Sequence, residues 1–237
     1  MIQKNSSLRS IKEKDPAFSK EFALIDIGGL LDLEEIQDCY ENVPLDVFVP
    51  DDSRRKSIIR LHVHKRSRIM LAKDHEPLYQ DAVYNYNVYG ADSRPYPEME
   101  KRLAALLDPV FGIFAACGRL DSQHEILAQA QRVTTDDART GETSREGWHT
   151  DGAIVLGILV INRTNVTGGT SMLSYSRDGS NPVFAQTLMP GELLLIDDRK
   201  LWHFSTSIKQ LRPGAKASRD VLLLTYPSYR QPKQIER

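Results

Sequence analysis

The sequence predicts a mainly β protein with flanking helices, its core an antiparallel double-sheet barrel of the jelly-roll kind. Three observations lead there. From Glu125 onward, short apolar runs recur at 125–133, 153–162, 170–175, 183–188, 192–197 and 219–226. Turn signals such as Gly168-Gly169 and Pro190-Gly191 separate them, as strands joined by tight connections require. Helical periodicity is confined to the upstream part of the chain, so helices are expected on the outside of a barrel rather than between its strands.

Upstream, Phe22, Leu24 and Ile25 start a short strand that ends at Gly28-Gly29. Asp32 has the character of a helix N-cap, with Glu35 as its capping-box partner ahead of Ile36, Cys39 and Tyr40, because a short side-chain acceptor satisfies the free N–H groups of a first turn. Residues 58–63 (IIRLHV) and 83–89 (VYNYNVY) read as strands from their β-branched and aromatic content. Pro97 opens a helix carrying Leu103, Leu106, Leu107 and Val110 at helical spacing, and Pro109 should end or kink it. The expected organisation is a polar segment over 1–20 followed by one domain over 21–237. That domain has a mixed helical part at 21–120 and core strands at 125–230.

The chain has 237 residues, 31 Lys plus Arg against 32 Asp plus Glu, and a formal net charge of −1. So even a balance provides no electrostatic footprint for nucleic acid or an anionic membrane, and no apolar run approaches the roughly 18 residues of a membrane helix. Residues 1–20 lack the apolar stretch of a secretory signal. The two cysteines, Cys39 and Cys117, each lie in an apolar stretch with no CxxC. Two buried thiols and a cytoplasmic setting are therefore expected.

Chemistry concentrates in Trp148-His149-Thr150-Asp151, Leu201-Trp202-His203 and Ser218-Arg219-Asp220. In extended backbone His149 and Asp151 share a face with Cα atoms about 6.6 Å apart, so an imidazole and a carboxylate can converge on one ion. His203 lies several predicted strands away, a suitable return distance for a neighbouring strand. Two histidines and one carboxylate make the facial triad of non-haem Fe(II) oxygenases, which leaves coordination positions open. By alternation Trp148 and Trp202 point away from the barrel interior, where they would pack beneath the helical layer.

Arg219 opens an apolar run, Val221 to Leu224, and a guanidinium there needs an anionic partner. Asp197, Asp198 or Asp220 could serve internally; the alternative is the distal carboxylate of 2-oxoglutarate, gripped by the planar fork of Arg. A competing metal pair, His62 and His64 with His75 nearby, carries no suitably spaced carboxylate and is flanked by Lys65, Arg66 and Arg68. His124 reads as a surface residue at a strand start.

The WHTD set, the TGGTSML stretch, PGELLLIDDRKLWHF and SRDVLLLTY together resemble the Fe(II)/2-oxoglutarate oxygenases of the bacterial L-isoleucine 4-hydroxylase type. The resemblance is clearest over 125–230 and extends to Arg54–Arg60 and Tyr84–Gly90. It implies a double-stranded β-helix core, His149, Asp151 and His203 as iron ligands, and Arg219 as the 2-oxoglutarate anchor. The implied cosubstrates are 2-oxoglutarate and O2 with Fe(II), and the implied reaction couples decarboxylation to succinate and CO2 with oxidation of an unactivated C–H bond in a free aliphatic amino acid. The carboxylate Asp151 argues against halogenation, where a small residue makes room for chloride. Hydroxylation, desaturation and ring closure such as aziridine formation all remain open, as does a non-catalytic jelly-roll module that binds a small ligand. For the substrate carboxylate the sequence offers Arg60 and Arg132, with Tyr84, Tyr86 and Tyr89 lining the pocket and the polar loop 134–147 acting as a lid or substrate loop.

Overall fold

A computed structural model describes residues 21–64, 69–72, 74–80 and 92–229. Its strands are β1 (Phe22–Asp26), β2 (Arg54–Val63), β3 (Ile69–Leu71), β4 (Leu78–Gln80), β5 (Asp92–Arg94), β6 (Glu125–Thr134) and β7 (Val155–Thr164) in the first part. They continue as β8 (Val166–Gly168), β9 (Thr170–Ser174), β10 (Pro182–Thr187), β11 (Glu192–Ile196), β12 (Trp202–Ser205), β13 (Ile208–Gln210) and β14 (Ser218–Tyr226). The helices are α1 (Leu33–Tyr40), α2 (Lys101–Leu106) and α3 (Asp108–Cys117).

A major sheet of seven strands runs β1-β11-β7-β14-β6-β2-β3, and a minor sheet of three runs β10-β9-β12. Residue His149 pairs with His203, so the 148–150 segment extends the minor sheet beyond β12. From β6 onward the chain passes repeatedly between the two sheets, as in a jelly roll, with β8 and β13 paired separately. Leu156 and Val160 of β7, Leu173 of β9 and Leu194 of β11 are buried together where the two sheets meet.

Strand alternation gives the major sheet two unlike faces. Ile59, Leu61, Ile126, Ala128, Leu222 and Leu224 pack against Ile36 and Tyr40 of α1 and Phe111 and Phe114 of α3, each large side chain stabilising the fold by roughly 1.5–3 kcal/mol. Gly157 makes the approach of α3 possible, because a Cβ there would lie 3.0 Å from the Phe114 ring. Strand β14 also ties to α1 through the buried Tyr40 hydroxyl, which donates to the Val221 carbonyl at 2.9 Å. The opposite face of the same strands lines a cavity.

The α1 cap forms as expected, the Asp32 carboxylate accepting from the Glu35 N–H at 3.0 Å. The Glu35 carboxylate, however, takes the Arg102 guanidinium at 2.8 and 3.1 Å. The expected helix at Pro97 begins only at Lys101, because the Ile58 N–H donates to the Pro97 carbonyl and the Met99 N–H to the Ile58 carbonyl. Pro109 divides the apolar run into α2 and α3 and sits in the first turn of α3, where a missing N–H costs nothing. The expected 83–89 strand lies outside the described residues. Cys39 and Cys117 are free thiols, and burial raises the pKa of both. No helix among the described residues is long and apolar enough to cross a membrane.

On the helix-facing side Arg132 meets Asp220 at 2.6 and 2.9 Å and Glu41 at 2.8 Å, with the Asp220 side chain fully buried. Removing one partner of such a pair strands a buried charge. Arg132→Met should therefore lower unfolding free energy by about 3–5 kcal/mol in chemical denaturation, with activity per folded molecule retained. Lost activity at unchanged stability would contradict this structural assignment.

Candidate active site

The site begins with one rung of the minor sheet. The His149 N–H donates to the His203 carbonyl at 3.1 Å and the His203 N–H to the His149 carbonyl at 2.9 Å. A hydrogen-bonded antiparallel pair directs both side chains to the same face, and the two rings lie with centroids 4.2 Å apart. Asp151, two residues on, follows them. One ligand atom from each of His149, Asp151 and His203 fits within a mutual 4.8 Å, a spacing able to hold a metal ion.

Each imidazole is oriented from behind. His149 Nδ1–H donates to the Gly147 carbonyl at 2.8 Å, which leaves Nε2 as the lone-pair atom, 3.6 Å from Asp151. His203 Nδ1 lies 3.1 Å from Asp198 Oδ1, and its Nε2 is 3.8 Å from Asp151. Asp198 is itself positioned by the Ala153 N–H at 2.9 Å. Burial opposes protonation of His203, but the Asp198 and Asp151 carboxylates outweigh it and raise its pKa. Burial likewise raises the pKa of Asp198, against the pull of His203.

The tryptophans do leave the interior, as alternation requires, yet they do not lie beneath the helices. Trp148 packs on Phe204 with centroids 5.6 Å apart and on Gly179, whose φ of +74° and absent Cβ let the ring sit against its backbone. The Trp202 ring is covered by the Arg177 guanidinium. Both therefore cover the outer face of the minor sheet, while the helices pack on the major one. The polar loop before His149 is fastened rather than free. Gly141 exchanges backbone hydrogen bonds with Ile208, Thr143 donates to the Ser205 and Thr206 carbonyls, and Arg145 pairs with Asp51 at 2.5 Å.

Between the sheets lies a cavity of about 760 Å³, lined by His149, Asp151, His203 and Arg219 among others. Arg219 is 4% exposed, and its Nε and Nη2 make no hydrogen bond with the described residues. The three internal partners considered for it are engaged elsewhere: Asp197 with Arg199 at 2.9 Å, Asp198 with His203, and Asp220 with Arg132. Burial, then the neighbouring Arg163, pull the Arg219 pKa down to about 10, so the group remains a cation at neutral pH. Gly169, at φ +67°, supplies the room: a Cβ there would lie 2.9 Å from Arg219 Cδ and 3.1 Å from its Nε. A metal-sized nest of two imidazoles and a carboxylate, with an unsatisfied guanidinium in the same cavity, fits ferrous ion and a dicarboxylic acid.

A family model described as 2OG-Fe dioxygenase matches residues 37–225. The chain belongs to the 2OG-Fe dioxygenase family. Such enzymes use Fe(II), 2-oxoglutarate and O2. Among solved structures, a bsmA homolog from Methylobium petroleophilum PM1 is 22% identical with a TM-score of 0.73, covering 87% of this chain and 88% of the other. The IDO of Bacillus thuringiensis is 18% identical at a TM-score of 0.65, covering 87% and 89%. The Fe(II)/α-ketoglutarate-dependent dioxygenase TqaL is 14% identical at 0.61, covering 87% and 82%. At these identities the likeness is one of fold. No curated protein matches the chain.

Other sequence candidates fall elsewhere in the dioxygenase. Arg60 is buried, but its guanidinium donates to the carbonyls of Ser228 at 3.2 Å, Pro77 at 2.9 Å and Glu76, so it staples chain segments rather than lining the cavity. Arg132 faces the helices, on the wrong side of the major sheet, as described. Tyr84, Tyr86 and Tyr89 lie outside the described residues. His62 is exposed and 3.3 Å from Glu125, and among the described residues His149, Asp151 and His203 form the metal-capable cluster. His124 is mostly covered, its ring against Tyr226.

Sequence reasoning missed Arg54, Lys56 and Arg94, all of which line the cavity. The signal for the first two was available: Arg54 and Lys56 precede Ile58 at alternate positions, so extending that strand backwards puts all three on one face. Their charge masked the strand. Asp198 was considered for Arg219 and serves His203 instead.

Ligand orientation by a rear carboxylate is commonly worth 10–100-fold in metal affinity. Asp198→Ala should weaken Fe(II) binding by about that factor in anaerobic equilibrium titration; unchanged affinity would remove Asp198 from the site.

Proposed function

We propose that this dioxygenase oxidises an unactivated C–H bond of a small, free aliphatic amino acid, most simply by hydroxylation, in the manner of the L-isoleucine 4-hydroxylase type. His149, Asp151 and His203 hold Fe(II), and Arg219 binds the distal carboxylate of 2-oxoglutarate. The observation that carries this reading is the buried Arg219 guanidinium, facing the triad's cavity while Asp197, Asp198 and Asp220 are engaged elsewhere.

The bound iron, with 2-oxoglutarate and O2, supplies the oxidising power and releases succinate and CO2. The protein's part is placement. Gly147 and Asp198 fix which nitrogen of each imidazole faces the ion. Arg219 sets the cosubstrate's depth, and Leu156, Ile158, Val221 and Leu223 give the cavity an apolar wall against which an aliphatic side chain can exclude water. A carboxylate at Asp151, where halogenation would call for a small residue, favours oxygen insertion. The fold likeness to the Bacillus thuringiensis IDO supports the architecture of this reading.

A screen of the twenty amino acids for succinate release and a mass gain of one oxygen tests the proposal; a loss of two hydrogens would instead mark desaturation or ring closure. Turnover confined to a peptide or carrier-bound residue would refute the free-amino-acid part. His149→Ala should abolish Fe(II) uptake and succinate formation together. Arg219→Met should raise the 2-oxoglutarate concentration needed to develop the anaerobic charge-transfer band by roughly 30-fold or more, and an unshifted titration would overturn its role.

A further inference from the structure

Lys56 lies on β2 and lines the same cavity as the triad, at 5% exposure. Its ammonium sits 4.5 Å from the centroid of the Tyr96 ring and makes no hydrogen bond or ion pair with a described residue. An ammonium enclosed in such a cavity without a carboxylate partner is costly, and a cation–π contact replaces only part of its lost hydration. The surroundings add more positive charge. Arg54, on the same strand face, spends its Nε on Asp46 at 2.7 Å, and Arg94 points its guanidinium toward Tyr96 and Phe48. Asp46 has both oxygens in use, one on Arg54 and the other accepting the Phe48 N–H at 3.0 Å.

The register places this cluster away from Arg219. Lys56 pairs with Gln131 of β6, which in turn pairs with Val221 of β14. Two strand spacings, about 9.5 Å, therefore separate Lys56 from the strand that carries Arg219. A dicarboxylic acid held between Arg219 and the metal has both its ends committed, so Lys56 remains for another anion.

We propose that Lys56, supported by Arg54 and Arg94, forms a second anion subsite that binds the carboxylate of the substrate and thereby aims its aliphatic part at the metal. The inference rests on the assignment of Arg219 to 2-oxoglutarate. Burial, then Arg54 and Arg94, lower the Lys56 pKa to about 7, against the opposing pull of Asp46 and Asp151; a bound carboxylate would give the ammonium a direct countercharge.

The test uses the full chain loaded anaerobically with Fe(II) and 2-oxoglutarate, and calorimetric binding of two matched pairs: 4-methylpentanoate with 4-methylpentanamide, and L-isoleucine with L-isoleucinamide. The wild type should prefer each acid to its amide. Lys56→Met, which keeps the length of the side chain, should weaken the acids by about 10- to 100-fold and leave the amides unchanged, while Lys56→Arg should retain most of the preference. The 2-oxoglutarate titration of the charge-transfer band should be unmoved in both variants, which also reports that they fold. The assignment is overturned if the wild type shows no acid preference, if the preference survives in Lys56→Met, or if Lys56→Met loses 2-oxoglutarate binding, since the lysine would then serve the cosubstrate. Lysine-dependent binding of 4-methylpentanoate without turnover of any amino acid would uphold this subsite while refuting the amino-acid substrate.

Discussion

The chemistry of this dioxygenase depends on two backbone hydrogen bonds exchanged between His149 and His203. These residues are far apart in sequence, and the imidazoles can share an ion only if their strands are neighbours in the correct register. A slip of one strand by one residue would turn its ring to the outer face, where Trp148, Trp202 and Phe204 now lie, and part the pair. Much of the surrounding structure holds that register in place. Thr143 and Ser144 bond the backbone of Ser205 and Thr206, Gly141 pairs with Ile208, and the Trp148–Phe204 contact continues the same rung on the other side.

The major sheet solves a second problem, which is how to keep cations inside a protein. Its helix-facing side is largely apolar, and the charges of Arg132 and Asp220 there neutralise one another. Its cavity side carries Arg54, Lys56 and Arg219, and among the described residues the last two have no carboxylate partner of their own. Unpaired buried cations lower stability, and a fold retains them where ligands provide the countercharge. An enzyme that must seat a dicarboxylic acid and orient a second small molecule beside it has use for two separate positive centres. The division of one sheet into an apolar face and a cationic one follows from nothing more than the two-residue period of the strand.

That period is also why so much was legible in advance. The apolar runs at 125–133, 192–197 and 219–226 mark strands from the sequence alone. His149 and Asp151 share a face by spacing alone, and Asp32 caps its helix through a contact three residues away. Strand β2 was recognised only from Ile58, because its first half lines a polar cavity and carries charge where apolar residues signal burial. The late start of α2 was hidden for a related reason: Pro97 and Met99 are occupied by hydrogen bonds to β2, and no local pattern records a partner from another strand.

By itself, then, the sequence determined which side chains share a face within each recognised strand, and the residues able to bind metal. The tertiary structure decided which cation meets which carboxylate. Arg60 went to backbone carbonyls, Arg132 to Asp220, Asp198 to His203, and Arg219 and Lys56 were left facing the cavity. Side-chain direction is a local property of backbone dihedrals and is written in the spacing of residues. Charge pairing is a through-space property of segments brought together from distant parts of the chain, and several equally plausible pairings remain until the sheet register selects one.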